Sequence, residues 1–188
     1  MKSFLKFLFL SLLPIAVTTA GPKREETVFL FENRRLALAV PDGFGYASSK
    51  DERGLINVQL AAPKDKATLH LLFIPDPERE FANARTRKEK MVDLFQEYVD
   101  SSTEKGMQFE ELEPRTGVGT FCVFTDAKLA GKTEFPPGEY LHFTTGLKVW
   151  PGVVAIFRLF SNDTNSSEYK ALMKMLRESV QEKPVPLR

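Results

Sequence analysis

Cysteine is almost missing: Cys122 is the only one in 188 residues, so the chain can close no disulfide on itself. Its neighbours Phe121, Val123 and Phe124 are apolar, and no His, Lys or Arg adjoins it to lower the thiol pKa, which describes a buried, inert side chain. Histidine is scarce as well, with two in the chain. Neither a His-Glu-x-x-His helix nor a Cys-x-x-Cys pair occurs, so a metal centre would have few ligands to draw on. There is no Gly-x-Ser-x-Gly elbow and no phosphate-binding glycine loop. Gly117-Val118-Gly119 lacks a third glycine and a following helix, and reads as a bend entering a strand. These absences leave no catalytic residue, metal ligand or cofactor motif to name.

An excess of charge of one sign is also lacking. The chain holds 26 basic and 25 acidic residues, a balance that gives no positive field for nucleic acid or an anionic membrane. The cluster Arg85, Arg87, Lys88 and Lys90 is interleaved with Glu89, Asp93, Glu97 and Asp100, and reads as the mixed solvated face of a helix. The one long apolar stretch is N-terminal. Lys2 and Lys6 precede an apolar run from Phe7 to Leu13, Pro14 breaks it, and Ala16-Val17-Thr18-Thr19-Ala20 follows. That order describes a signal peptide over residues 1–20, cut between Ala20 and Gly21. The run is too short for a membrane span of about 20 residues, so no stable anchor is expected after cleavage. Export follows from this reading, to the periplasm if the source is bacterial and otherwise to the medium.

The rest reads as one α+β domain over residues 21–182 and a short tail over 183–188. Thr27–Phe31 and Leu36–Val40, separated by Glu32-Asn33-Arg34-Arg35, predict an N-terminal hairpin. Pro41-Asp42-Gly43 turns the chain, and Phe44 and Tyr46 open an irregular section. Leu55–Ala61 and Ala67–Ile74 predict a second strand pair, with Leu69, Leu71 and Phe73 on one side and Thr68 and His70 on the other. Thr86 and Glu89 have capping-box spacing ahead of a helical stripe of Met91, Leu94, Phe95, Tyr98 and Val99, with Gly106 as its stop. Phe109–Pro114 predicts a weak edge strand and Gly117–Ala127 a stronger one. A long hairpin follows, its arms flanking Trp150-Pro151-Gly152. Its second arm, Val153–Phe160, is apolar apart from Arg158 and is placed mid-sheet, covered on both faces. Asn165 and Glu168 suggest the capping box of a second helix, with Tyr169, Leu172, Met173, Leu176 and Val180 on its apolar side.

This order of elements, with Val40-Pro41-Asp42-Gly43-Phe44 after the first hairpin, resembles the PsbP-like fold, the group of photosystem II extrinsic proteins and DcrB-type bacterial envelope proteins. The resemblance implies an αβα sandwich with a central antiparallel sheet, an N-terminal β-hairpin and two main helices. It also implies an accessory or binding role without catalytic residues. DcrB-type proteins carry a lipid anchor, and this chain has no cysteine near the cut to take one.

Three candidate sites come from the residues. Phe135, Tyr140 and Trp150 are large aromatics beside the rigid Phe135-Pro136-Pro137-Gly138 segment or the Pro-Gly turn. They form either an exposed patch for an unknown protein or envelope component, or lids on the core. His70 and His142 could meet as a polar pair if their strands were neighbours. Arg158 needs either a carboxylate such as Asp126 or Asp163, or a route to solvent. A binding protein is the leading expectation. A hydrolase built from distant residues such as His142 and Asp126, or a carrier with a pocket between helix and sheet, are the alternatives.

Overall fold

The computed structural model describes residues 24–31 and 34–182; the expected signal peptide, the Glu32-Asn33 turn and the tail lie outside them. The chain forms β1 (Arg24–Phe29), β2 (Arg35–Val40), β3 (Gly45–Lys50), β4 (Ile56–Ala61), β5 (Ala67–Asp76), α1 (Ala84–Ser101), β6 (Glu110–Glu111), β7 (Val118–Thr125), β8 (His142–Trp150), β9 (Gly152–Ser161), α2 (Ser167–Glu178) and β10 (Val180–Glu182). Seven strands make one antiparallel sheet in the order β3-β4-β5-β9-β8-β7-β6, and β1, β2 and β10 make a smaller one. The fold is an α+β sandwich around a central antiparallel sheet, with an N-terminal hairpin and two helices.

β9 stands fourth of the seven strands, as its composition predicts. The hairpin that delivers it turns at Pro151-Gly152, where Gly152 takes a φ of 77° that favours glycine. One face of the sheet carries Val58, Leu60, Leu69, Leu71, Phe73, Phe157 and Leu159, packed with the small sheet and α2. On the other, Met91, Phe95 and Val99 of α1 pack on Cys122, Phe124, Phe143, Leu147 and Val149 of β7 and β8.

Several expectations change. The irregular section after Phe44 is β3, an edge strand whose Ser48, Ser49 and Lys50 are exposed. The first helix is capped three residues before Thr86, by Asn83, which accepts from Arg85 N at 2.8 Å. The Glu89 carboxylate is taken by Arg85 instead, at 2.7 Å. The helix ends at Ser101, short of Gly106. α2 is capped by Ser166, which accepts from Tyr169 N at 3.2 Å, and not by Asn165. Val180 leaves that helix to pair with Ala37 of β2.

Arg87 leaves the solvated face and is 3% exposed. It donates to Thr120 Oγ1 at 3.0 Å, Phe81 O at 3.0 Å and Ala82 O at 2.8 Å, so its charge is spread over acceptors that close the turn before α1.

Candidate functional site

The second face of the sheet is covered unequally. Because α1 lies over β7 and β8, every β8 residue from Phe143 to Trp150 is buried, while Ile156, Arg158 and Phe160 of β9 are half-exposed on the side away from the small sheet. Leu72 and Ile74 of β5 and Asn57 and Gln59 of β4 extend the same half-exposed surface. The second arm of the hairpin is therefore central but not enclosed on both faces, contrary to its apolar reading.

Antiparallel register builds the patch. His70 pairs with Gln59 on one side and Arg158 on the other, so the three side chains form a row across β4, β5 and β9. Thr68 pairs with Phe160 in the next row of this face. The Phe160 ring gathers the aromatics: His70 meets it edge-on at 5.8 Å, Tyr140 at 5.8 Å and Phe143 stacks at 5.0 Å. The Tyr140 hydroxyl reaches Thr68 Oγ1 at 3.3 Å. Burial pushes the His70 imidazole below its usual range, and the neighbouring Arg158 charge adds to the effect, so His70 is neutral where the two strands meet.

Arg158 takes neither expected mate. Asp126 accepts from Lys128 N at 2.7 Å and Asp163 from Asn165 N at 2.7 Å, each within its own turn. The guanidinium carbon lies 5.9 Å from the Phe95 ring centre, and Nε is sealed from solvent without a hydrogen-bond partner.

The structure brings together two residues that the sequence keeps apart, Tyr140 and His70, and separates two that it pairs. His142 is the first residue of β8, not mid-strand, and is partnered by Ser161 on the opposite face from His70, with β9 between their strands. The two rings cannot meet. His142 Nδ1 lies 3.3 Å from Thr125 Oγ1, and Asp126 is engaged elsewhere, so the hydrolase pairing does not form. Burial lowers the His142 imidazole, while Glu104 and Asp163 oppose the shift. Phe135 is half-buried in its loop.

Trp150 leaves the candidate patch altogether. It is 3% exposed, its ring 6.3 Å from Phe73 and 4.5 Å from Lys148 Nζ. The reason is register: Trp150 pairs with Val153 and so faces the small sheet and α2 with Phe157 and Leu159. It is a lid on the core.

Lys148, which nothing in its spacing marks, is fully buried on that same face. Its Nζ donates to Leu176 O, to Ser179 O at 3.0 Å and to Ser179 Oγ at 2.7 Å, closing the C-terminus of α2. Burial drags this amine down to about 7. Its one signal in the sequence is a lysine set between apolar neighbours in a strand.

Two hollows open elsewhere. One of about 250 Å³ lies between β7 and α2, lined by Glu110, Phe121, Val123, Tyr169, Met173 and Arg177. Another of about 220 Å³ lies at the hairpin tip beside Val118 and Pro151. Both are open to solvent, unlike the closed cavity of a carrier. Among the described residues no group of three or more His, Cys, Asp or Glu could hold a metal ion, and no helix is long and apolar enough to cross a membrane. Burial pushes the Cys122 thiol up to about 12, so it is no nucleophile. No family model matches the chain, and no curated protein or solved structure is significantly similar to it.

Proposed function

We propose that this is an exported accessory protein that works by binding rather than by catalysis. It recognises another protein or an envelope component over the uncovered half of the sheet face, together with the adjoining loop that carries Phe135 and Tyr140. The observation behind this reading is the unequal cover. A sheet face bearing Leu72, Ile156, Phe160, Tyr140 and Arg158 half-exposed has the aromatic and arginine content of interface hot spots. The resemblance to PsbP-like proteins supports an accessory role, and the order of charged, apolar and small residues before Gly21 supports export.

The test compares Leu72→Lys, within the patch, with Val92→Lys on the outer side of α1, where Val92 is 40% exposed. Each variant is used to recover partners from extracts of the native envelope or medium. Leu72→Lys should lose what the wild type and Val92→Lys retain, with melting temperatures close to wild type for all three. Equal recovery by the three proteins would overturn the reading. The export half stands on N-terminal sequencing of the exported protein, which should begin at Gly21; an intact Met1 there would refute it.

A further inference from the structure

We propose that the uncovered sheet face receives the carboxylate of an acidic side chain on a protein partner, and that Arg158 is the residue that holds it. This rests on the reading of the face as a recognition surface and names its chemistry. Arg158 stands in the fourth of the seven strands and is half-buried, with its guanidinium carbon 5.9 Å from the Phe95 ring centre. No hydrogen bond or ion pair to the guanidinium exists among the described residues, and its Nε is shut off from solvent. A guanidinium offers five donors in a planar fork; here the buried Nε is left unpaired, which is costly, and the donors that reach the half-exposed surface beside Phe95 are free to meet a partner's acceptors.

Arg87, the buried arginine of the same face, finds three oxygens within 3.0 Å and a carboxylate at 3.5 Å. Arg158, half-buried on that face, finds none among the described residues.

The missing group should be a monoanion. Arg158 is the one cation of its row, since His70 beside it is neutral and Gln59 beyond it carries no charge. A dianionic phosphate would leave half its charge uncompensated on an apolar surface, whereas a carboxylate matches both the single charge and the two-pronged fork. A free small acid fits less well than an acidic side chain. The patch residues are each half-exposed rather than the walls of a closed cleft, and a small ligand needs most of its surface buried, about 70–90%. Apolar neighbours of a partner's Asp or Glu would cover Leu72, Ile156 and Phe160 and exclude water from the ion pair.

The experiment is an NMR titration of the purified protein with acetyl-Leu-Phe-Glu-Phe-Leu-amide, with the same peptide carrying Gln for Glu, and with sodium benzoate. The acidic peptide should shift the amides of β5 and β9 around His70 and Arg158 and bind about tenfold more tightly than the Gln peptide. Arg158→Gln should remove that ratio while leaving amide shifts on the opposite face unchanged. If Arg158→Gln does not fold, Arg158→Lys, which keeps the charge and loses the fork, should still lose most of it. Equal binding of both peptides at this face would overturn the carboxylate assignment and leave the recognition surface standing. Benzoate binding as tightly as the acidic peptide would overturn the choice of a protein segment in favour of a small acid. Shifts confined to other parts of the molecule would overturn this proposal and count against the recognition surface as well.

Discussion

Lys148 is enclosed by the carbonyls of Leu176 and Ser179, the Ser179 hydroxyl and the Trp150 ring, with no carboxylate among its bonded partners. Burial favours its neutral form, while the carbonyl end of α2 favours the ammonium; the balance leaves its pKa at about 7, against 10.5 for a free lysine. Between those values the unfolded chain binds more protons than the folded one, so stability should rise as the pH climbs from about 7 to about 10.5. Below about 7 this group contributes no slope. Urea denaturation at pH 7 and pH 9.5 measures it. The wild type should gain more over that interval than Lys148→Met, which has nothing to titrate there. Identical gains would mean that the carbonyls keep the lysine charged throughout. A second residue-scale expectation concerns Gly146, which pairs with Phe157. A Cβ there would collide with the Thr120 carbonyl, and would come within 2.6 Å of the Phe157 ring and 2.8 Å of Phe121 Cβ. Gly146→Ala should therefore destabilise by about 1–3 kcal/mol or more, as overpacking does, and thermal melting reads the loss directly.

Capping shows how far the sequence reaches at the scale of elements. Both helices are legible from their apolar stripes, yet spacing misplaces both caps, because Ser, Thr, Asn and Glu crowd the start of each helix and several spacings fit. The choice is made by charges that spacing does not show: Glu89 is held by Arg85, and Glu168 by Lys66 at 2.8 Å and Ser167. Ser166→Ala should cost about 1 kcal/mol in a denaturation experiment, and Asn165→Ala much less. A reversed order would restore the spacing-based cap. The strands with alternating large residues are readable, including the central hairpin. β3 is not, since Gly45-Tyr46-Ala47-Ser48-Ser49-Lys50 offers one large apolar side chain, and an edge strand needs no more. β10 is hidden because Val180 continues the helical stripe, whereas Ser179 at ψ 132° ends it and delivers three residues to β2. The site is half visible. His70, Tyr140 and Arg158 stand out by type, but the setting of His70 beside Arg158 and against the Phe160 ring that Tyr140 also meets depends on the pairing of β5 with β9, a contact between residues some ninety positions apart that no local pattern encodes.

At the scale of the whole molecule, the fold is a central sheet with one face closed and the other half open, and neighbouring residues of β9 sample the two sides. Phe157 is fully buried beneath the small sheet and α2, while Ile156 points to the half-covered face. Phe157→Ala should cost about 3–5 kcal/mol, the loss expected for a large aromatic removed from a packed interior. Ile156→Ala should cost about 1 kcal/mol, because part of the Ile156 side chain meets water already and little cavity is left behind. The two residues are neighbours in one strand and face opposite sides, so the part of their difference beyond that due to the larger Phe ring reports the cover on each face. Denaturation midpoints at two protein concentrations give the measurement. If Ile156→Ala costs as much as Phe157→Ala, the second face is closed in solution, by association or by another part of the chain, and a recognition surface there loses its ground. A large difference that persists on dilution leaves β5 and β9 open to a partner.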